Sequence, residues 1–129
     1  MIDKILLIQT LGIPGHHRGF SFLLDCLNLS LYHEELLTPI TKRLYPQVAE
    51  RHQISTLCIE RDIRTVVKVW WKRGDRTFIS NLVGTLAKLP TNKEFIYLLN
   101  THFTRYFSEL ETQKQTPAPA EAKPDNTAP

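Results

Sequence analysis

The sequence predicts an all-α fold of about six helices with a helix-turn-helix at its centre. Three observations carry this. Apolar residues recur at steps of three and four in almost every segment, the spacing of one helix face. Valine and isoleucine follow that spacing instead of the alternation a strand needs. Proline, glycine and hydroxyl residues fall where the periodic segments end, as turn and cap residues should. A length of 129 residues with 42% hydrophobic content suits one modest domain able to bury a core.

Taken in order, residues 3–10 read as a helix that Gly12 ends, with Pro14-Gly15 as the turn. A second helix starts at Arg18 or Gly19 and runs to Leu31, with Phe22, Leu23, Cys26, Leu27 and Leu31 on one face. Residues 34–43 form a third. Pro46 then marks either a kink or the first turn of a new helix ending near His52. Gln53-Ile54-Ser55 is a tight polar turn before a long helix over 56–73. A weaker short helix covers 77–86. Thr91 and Glu94 have capping-box spacing and open a last helix that reaches Phe107 or Leu110.

The 56–73 helix is the most informative element. Ser55 is a good N-cap, since its hydroxyl accepts from the unpaired amides of the first turn. Ile59, Ile63, Val66, Val67 and Trp70 share one face, and the small Thr56 falls near it, where close packing on the preceding helix would need a short side chain. Leu57, Arg61, Arg64, Thr65, Lys68 and Lys72 lie opposite. Glu60 is placed to pair with Arg64 four residues on, a support of about 0.2–0.5 kcal/mol. Gly74 follows the basic Lys72-Arg73 end as a C-terminal stop. A short helix, a tight turn and a second amphipathic helix with a cationic outer face is the layout of a helix-turn-helix, whose second helix enters the DNA major groove. The same cations would also serve as an ordinary solvated helix face.

Five blocks in order now bear on the choice. Leu11-Gly12-Ile13-Pro14-Gly15-His16-His17-Arg18-Gly19-Phe20 is similar to a pattern of Gly, Ile or Val, Pro, Ala, His, any residue, Lys, Gly, Tyr. Ile40-Thr41-Lys42-Arg43-Leu44-Tyr45-Pro46 comes next, then Ile59-Glu60-Arg61 with Ile63-Arg64. Trp70 through Gly74 follows, and Pro90-Thr91-Asn92-Lys93-Glu94-Phe95-Ile96 closes the set. From Ile8 to about Phe107 the chain resembles the C-terminal DNA-binding effector domain of the sporulation response regulator, stage zero sporulation protein A.

That resemblance implies a monomeric domain of about six helices around a helix-turn-helix. The family's recognition helix begins Ser-Arg-Val-Glu-Arg-Ala-Ile-Arg-His, and its first Arg, its Glu and its second Arg are associated with base reading. Carried over by position, Glu60 and Arg61 match the Glu and the second Arg, and Arg64 matches the later Arg, near phosphate. Cys58 stands where the first base-reading Arg would be, Leu57 where Ser would be and Thr65 where His would be. A thiol cannot replace an arginine fork on a guanine edge. The expected base-reading set is therefore Leu57, Cys58, Glu60, Arg61 and Thr65, and the expected phosphate set is Arg18, Arg64, Lys68, Lys72 and Arg73. The family's regulators normally carry an N-terminal phosphorylatable receiver domain, for which this sequence leaves no room, so a freestanding effector is expected.

The remaining signals bound the function. A net charge of +3 and a pI near 9.0 mildly favour a polyanion partner, with the cations concentrated mid-chain. The apolar run at Ile5-Leu6-Leu7-Ile8 is too short for a secretory signal, and no stretch approaches the roughly 20 residues of a membrane span, so a cytoplasmic protein is expected. Two cysteines make no disulfide framework. Cys26, among leucines, reads as a small buried hydrophobe, while Cys58 lies where a helix dipole lowers a thiol pKa, although a structural or neutral role outweighs redox sensing there.

His16, His17, His33, His52 and Cys58 lack metal-ligand spacing, so no metal or cofactor is expected. Glu34, Glu35 and Asp25 do not converge as paired acids, and no phosphate loop or nucleophile elbow appears, which argues against an enzyme. Residues 111–129 are expected to form a disordered Pro/Ala-rich tail, lacking large apolar residues from Thr112 on. Two function classes remain. One is a sequence-directed transcriptional regulator on double-stranded DNA, as a dimer or on tandem sites. The other is a helical interaction protein that has lost specific DNA reading and modulates a related regulator.

Overall fold

The structure, a computed structural model, describes the backbone of residues 1–115 and the side chains through Thr112. Six α-helices follow in order among the described residues: α1 (Lys4–Leu11), α2 (Arg18–Tyr32), α3 (Ile40–His52), α4 (Thr56–Arg73), α5 (Thr77–Leu82) and α6 (Asn92–Gln115). A 3-10 turn, Glu34–Leu37, lies between α2 and α3, and no strand occurs among the described residues. The all-α expectation holds, and the bounds of α4 are those read from the sequence.

Local chemistry explains both ends of α1 and the start of α6. Asp3 caps α1 by accepting from Leu6 N at 2.7 Å, and Gly12 closes it at φ 66°, a left-handed position open to a residue without Cβ. The capping box at α6 forms in both directions: Thr91 N donates to Glu94 Oε1 at 2.8 Å, and Glu94 N donates to Thr91 Oγ1 at 3.1 Å. These bonds to Thr91 hold the Glu94 carboxyl below its usual pKa.

Four expectations about the helices need correction. The third helix does not span 34–43. Glu34–Leu37 is a 3-10 turn, Thr38 is extended, and Pro39 precedes the helix. A residue before proline is disfavoured in the α region, so the chain cannot run helically through Thr38. Pro46 does not start a new helix; it lies inside α3, where its missing N–H leaves the carbonyl of Lys42 without its usual helical donor. The helix expected over 77–86 stops at Leu82. At the C-terminus α6 runs to Gln115, past the expected end at Leu110, and the rest of the expected tail, 116–129, lies outside the described residues.

α2 is the central helix and touches α1, α3, α4 and α6. Its Phe20, Phe22, Leu23, Cys26 and Leu27 are buried against Leu44, Val48, Ile59, Ile63, Ile96 and Leu99. Burial pushes the Cys26 thiol far up, so it stays protonated, the small hydrophobe expected of it. Polar groups inside this core are paired. Asn100 donates to Ser30 Oγ at 2.9 Å, and Ser30 donates to Leu27 O at 3.0 Å. Trp70 anchors the end of α4, with ring centroids 4.8 Å from Phe95 and 5.7 Å from Phe78, and its indole N–H donates to Asp75 O at 2.9 Å. Asp75 N in turn donates to Leu11 O at 2.8 Å, which ties the end of α4 to the end of α1. Among the described residues, no helix is long and apolar enough to cross a membrane.

Candidate nucleic-acid interface

α3 and α4 form the helix-turn-helix, and the turn is built at Gln53. That residue adopts φ 56° and its N–H closes α3 on Glu50 O, while Ile54 N donates to Ala49 O. Left-handed backbone costs a non-glycine residue about 1 kcal/mol or more, so the surrounding packing must hold Gln53 there. Ser55 then caps α4, accepting from Cys58 N at 3.1 Å.

The amphipathic reading of α4 places its core side correctly. Ile59, Ile63, Val66, Val67 and Trp70 are buried, and Leu57, Arg61, Arg64, Thr65, Lys68 and Lys72 are exposed. Leu57 is 73% exposed, a large apolar side chain on the outermost turn. Thr56, expected near the buried face, is exposed instead. Helical phase puts it there, but at the first residue of α4 it lies beyond the part of the helix its neighbours cover. Arg73 is exposed and sits about 100° round the helix from Lys72. Leu57 and Lys72 are roughly 22 Å apart along the axis, so one end of the exposed face is apolar and hydrogen-bonding and the other purely cationic.

Glu60 is half-buried on the flank, where it lines a cleft with Tyr45, Arg64, Asn92 and Lys93. The expected Glu60–Arg64 pair is replaced: Arg64 Nε donates to Asn92 Oδ1 at 3.3 Å. Asn92 is buried, and its Nδ2 donates to Glu60 O at 2.8 Å. One side chain from the start of α6 therefore both steadies the second turn of α4 and aims Arg64. Sequence reasoning missed this role, because partners 28 and 32 residues away leave no periodic trace.

On the other flank stands Asp62, also missed. Its Oδ2 accepts from Arg18 Nε at 2.7 Å and lies 2.6 Å from Arg18 Nη2, while its Oδ1 is 3.7 Å from Arg61 Nε. Arg18, expected as a free phosphate contact, is thus ion-paired across helices. Gly19 makes this approach feasible, since a Cβ there would lie 2.0 Å from Asp62 O. Arg61 Nη2 points to Cys58 Sγ at 3.7 Å. The Ser55 hydroxyl, then the charges of Arg61 and Arg18, hold the half-buried Cys58 thiol below its usual pKa.

A capped, cationic second helix held at both ends is the arrangement by which helix-turn-helix proteins address DNA. The family model described as sporulation initiation factor Spo0A, C terminal, matches residues 4–103. The chain belongs to this family. Its members are helical DNA-binding effector domains of sporulation regulation, not enzymes, and the match extends over all of α1 to α5 and the first half of α6.

Proposed function

We propose that this protein is a cytoplasmic transcriptional regulator that binds double-stranded DNA with α4 in the major groove and chooses its sites by sequence. The observation that carries the reading is the division of the exposed α4 face. Its first turns present Leu57, Arg61 and Thr65, with Cys58 half-buried beside them, side chains that suit base edges, and its far end presents Lys68, Lys72 and Arg73, which suit phosphates. Leu57 offers apolar contact to a thymine methyl, Arg61 a fork for a guanine, and Thr65 a hydroxyl for either edge. Glu60, half-buried, reaches the groove from the flank as an acceptor for a cytosine amine. Arg64, aimed by Asn92, belongs with the phosphate contacts.

A single module of this size buries limited surface on DNA, so tight binding calls for a dimer or tandem sites. The test is selection from a random duplex pool with purified protein, followed by affinities on the recovered site. Arg61→Ala is expected to cost about 1–3 kcal/mol on that site and to relax the choice at one base position. Equal affinity of both proteins for every sequence would count against base reading. Lys68→Ala or Lys72→Ala is expected to weaken all sequences alike and to lower the slope of log affinity against log salt by about 1. A changed preference in either variant would contradict the phosphate assignment. Failure to bind any duplex above the non-specific level would leave the interaction-protein reading in its place.

A further inference from the structure

We propose that Arg18, held by Asp62, is a base-reading residue that supplies from α2 the guanidinium missing from α4 at Cys58. The inference rests on the DNA-reading assignment of α4 and deepens it. Gly19 brings the start of α2 against the α4 backbone at Asp62 and Ile63, so Arg18 opens onto the same surface as the first turns of α4. Asp62 follows Cys58 by one helical turn, which sets the Arg18 head beside the place where the family pattern has its first arginine. The pair is built from this chain's own residues: Arg18 opens α2, and the Asp62 carboxylate of α4 holds its guanidinium one turn beyond Cys58.

The geometry separates base reading from a phosphate role. Asp62 takes the Nε–Nη2 edge of Arg18, at 2.7 and 2.6 Å. The Nη1–Nη2 edge is the fork that fits guanine O6 and N7, and it has no second acceptor among the described residues. Arg18 is 61% exposed at its side chain while Asp62 is 17% exposed, so the arginine faces out and the carboxylate stays behind it. A paired arginine brings no net charge to the surface and adds little to counterion release, which is what a phosphate contact supplies. What it adds is directional hydrogen bonding from a side chain already fixed in place, with less rotamer freedom left to lose on binding. Asp62 is then a positioning residue.

The experiment is selection from a random duplex pool with the full chain, followed by affinities for the selected site and its single-base variants. Wild-type protein should choose guanine at a position next to the one Arg61 reads. Arg18→Lys and Arg18→Ala should lose about 10-fold on the selected site, flatten the choice at that one position and leave the salt slope in place. Asp62→Asn should blur the same position while non-specific binding strengthens, because a negative charge is gone. Cys58→Arg added to Arg18→Ala should bring a guanine preference back. Unchanged melting midpoints show that the variants are folded. Uniform weakening of all sequences with a lower salt slope in Arg18→Ala would make Arg18 a phosphate contact and overturn the proposal. So would an unaltered preference in Asp62→Asn. Wild-type protein that selects no sequence at all removes the reading of α4 itself, and this proposal with it.

Discussion

Replacing Trp70 by alanine is expected to cost about 3–5 kcal/mol of folding stability, the range for truncating a fully buried aromatic. Trp70 is 0% exposed and packs between Phe95 and Phe78, so its removal opens a cavity where α4, α5 and α6 meet. The indole hydrogen bond to Asp75 O is the smaller part, about 1 kcal/mol, because Asp75 is exposed and water can replace the donor. Trp70→Phe separates the two terms: it keeps most of the aromatic packing, loses the donor, and should fall well short of the alanine loss. Urea denaturation followed by circular dichroism measures both. Against a total stability of about 5–15 kcal/mol, that loss removes from about a fifth to all of the margin. A loss under about 1 kcal/mol, or equal damage from Phe and Ala, would contradict the packing account.

What could be read from the sequence was whatever depends on neighbours along the chain. The bounds of α4 were legible because each signal is local: the Ser55 cap, the apolar period from Ile59 to Trp70, the stop at Gly74. Even there the reason for the stop differs from the expected one. Gly74 is extended, at φ −83°, and a Cβ would lie 2.4 Å from the Trp70 ring and 2.7 Å from both Trp70 O and Leu11 O, so it is close packing on Trp70 and on α1 that calls for glycine. The prolines were harder. Pro39 breaks the chain and Pro46 does not, since a helix tolerates one missing donor when tertiary packing holds both halves, and α3 has Leu44, Tyr45, Val48 and Ala49 buried on either side of Pro46. Periodicity gave the buried face of α4 but not how far along it the neighbours reach, which is why Thr56 was misplaced. The candidate site was least legible at its flanks. Asp62 with Arg18, and Asn92 with Arg64, join residues 44 and 28 positions apart, and only the fold brings them together.

Gly19→Ala is expected to destabilise the protein, although alanine is the better helix former. The gain from propensity is at most about 1 kcal/mol, and less at the second residue of α2 than in a helix interior. Opposing it, the new Cβ would lie 2.0 Å from Asp62 O and 2.4 Å from Asp62 C, where ordinary carbon contacts begin near 3.5 Å. The obstacle is helix backbone, which cannot swing aside as a flexible side chain would. α2 and α4 must therefore part by more than 1 Å, the kind of overpacking that costs about 1–3 kcal/mol, here at the upper end. The net loss should be about 2 kcal/mol, read from the denaturation midpoint at unchanged slope. The same separation draws Arg18 away from Asp62, so the folded variant should also lose the guanine preference assigned to Arg18 while keeping the position read by Arg61. An equal or higher midpoint would mean that the α2–α4 approach is looser than its geometry, and the route by which α2 holds Arg18 over the reading face would lose its support.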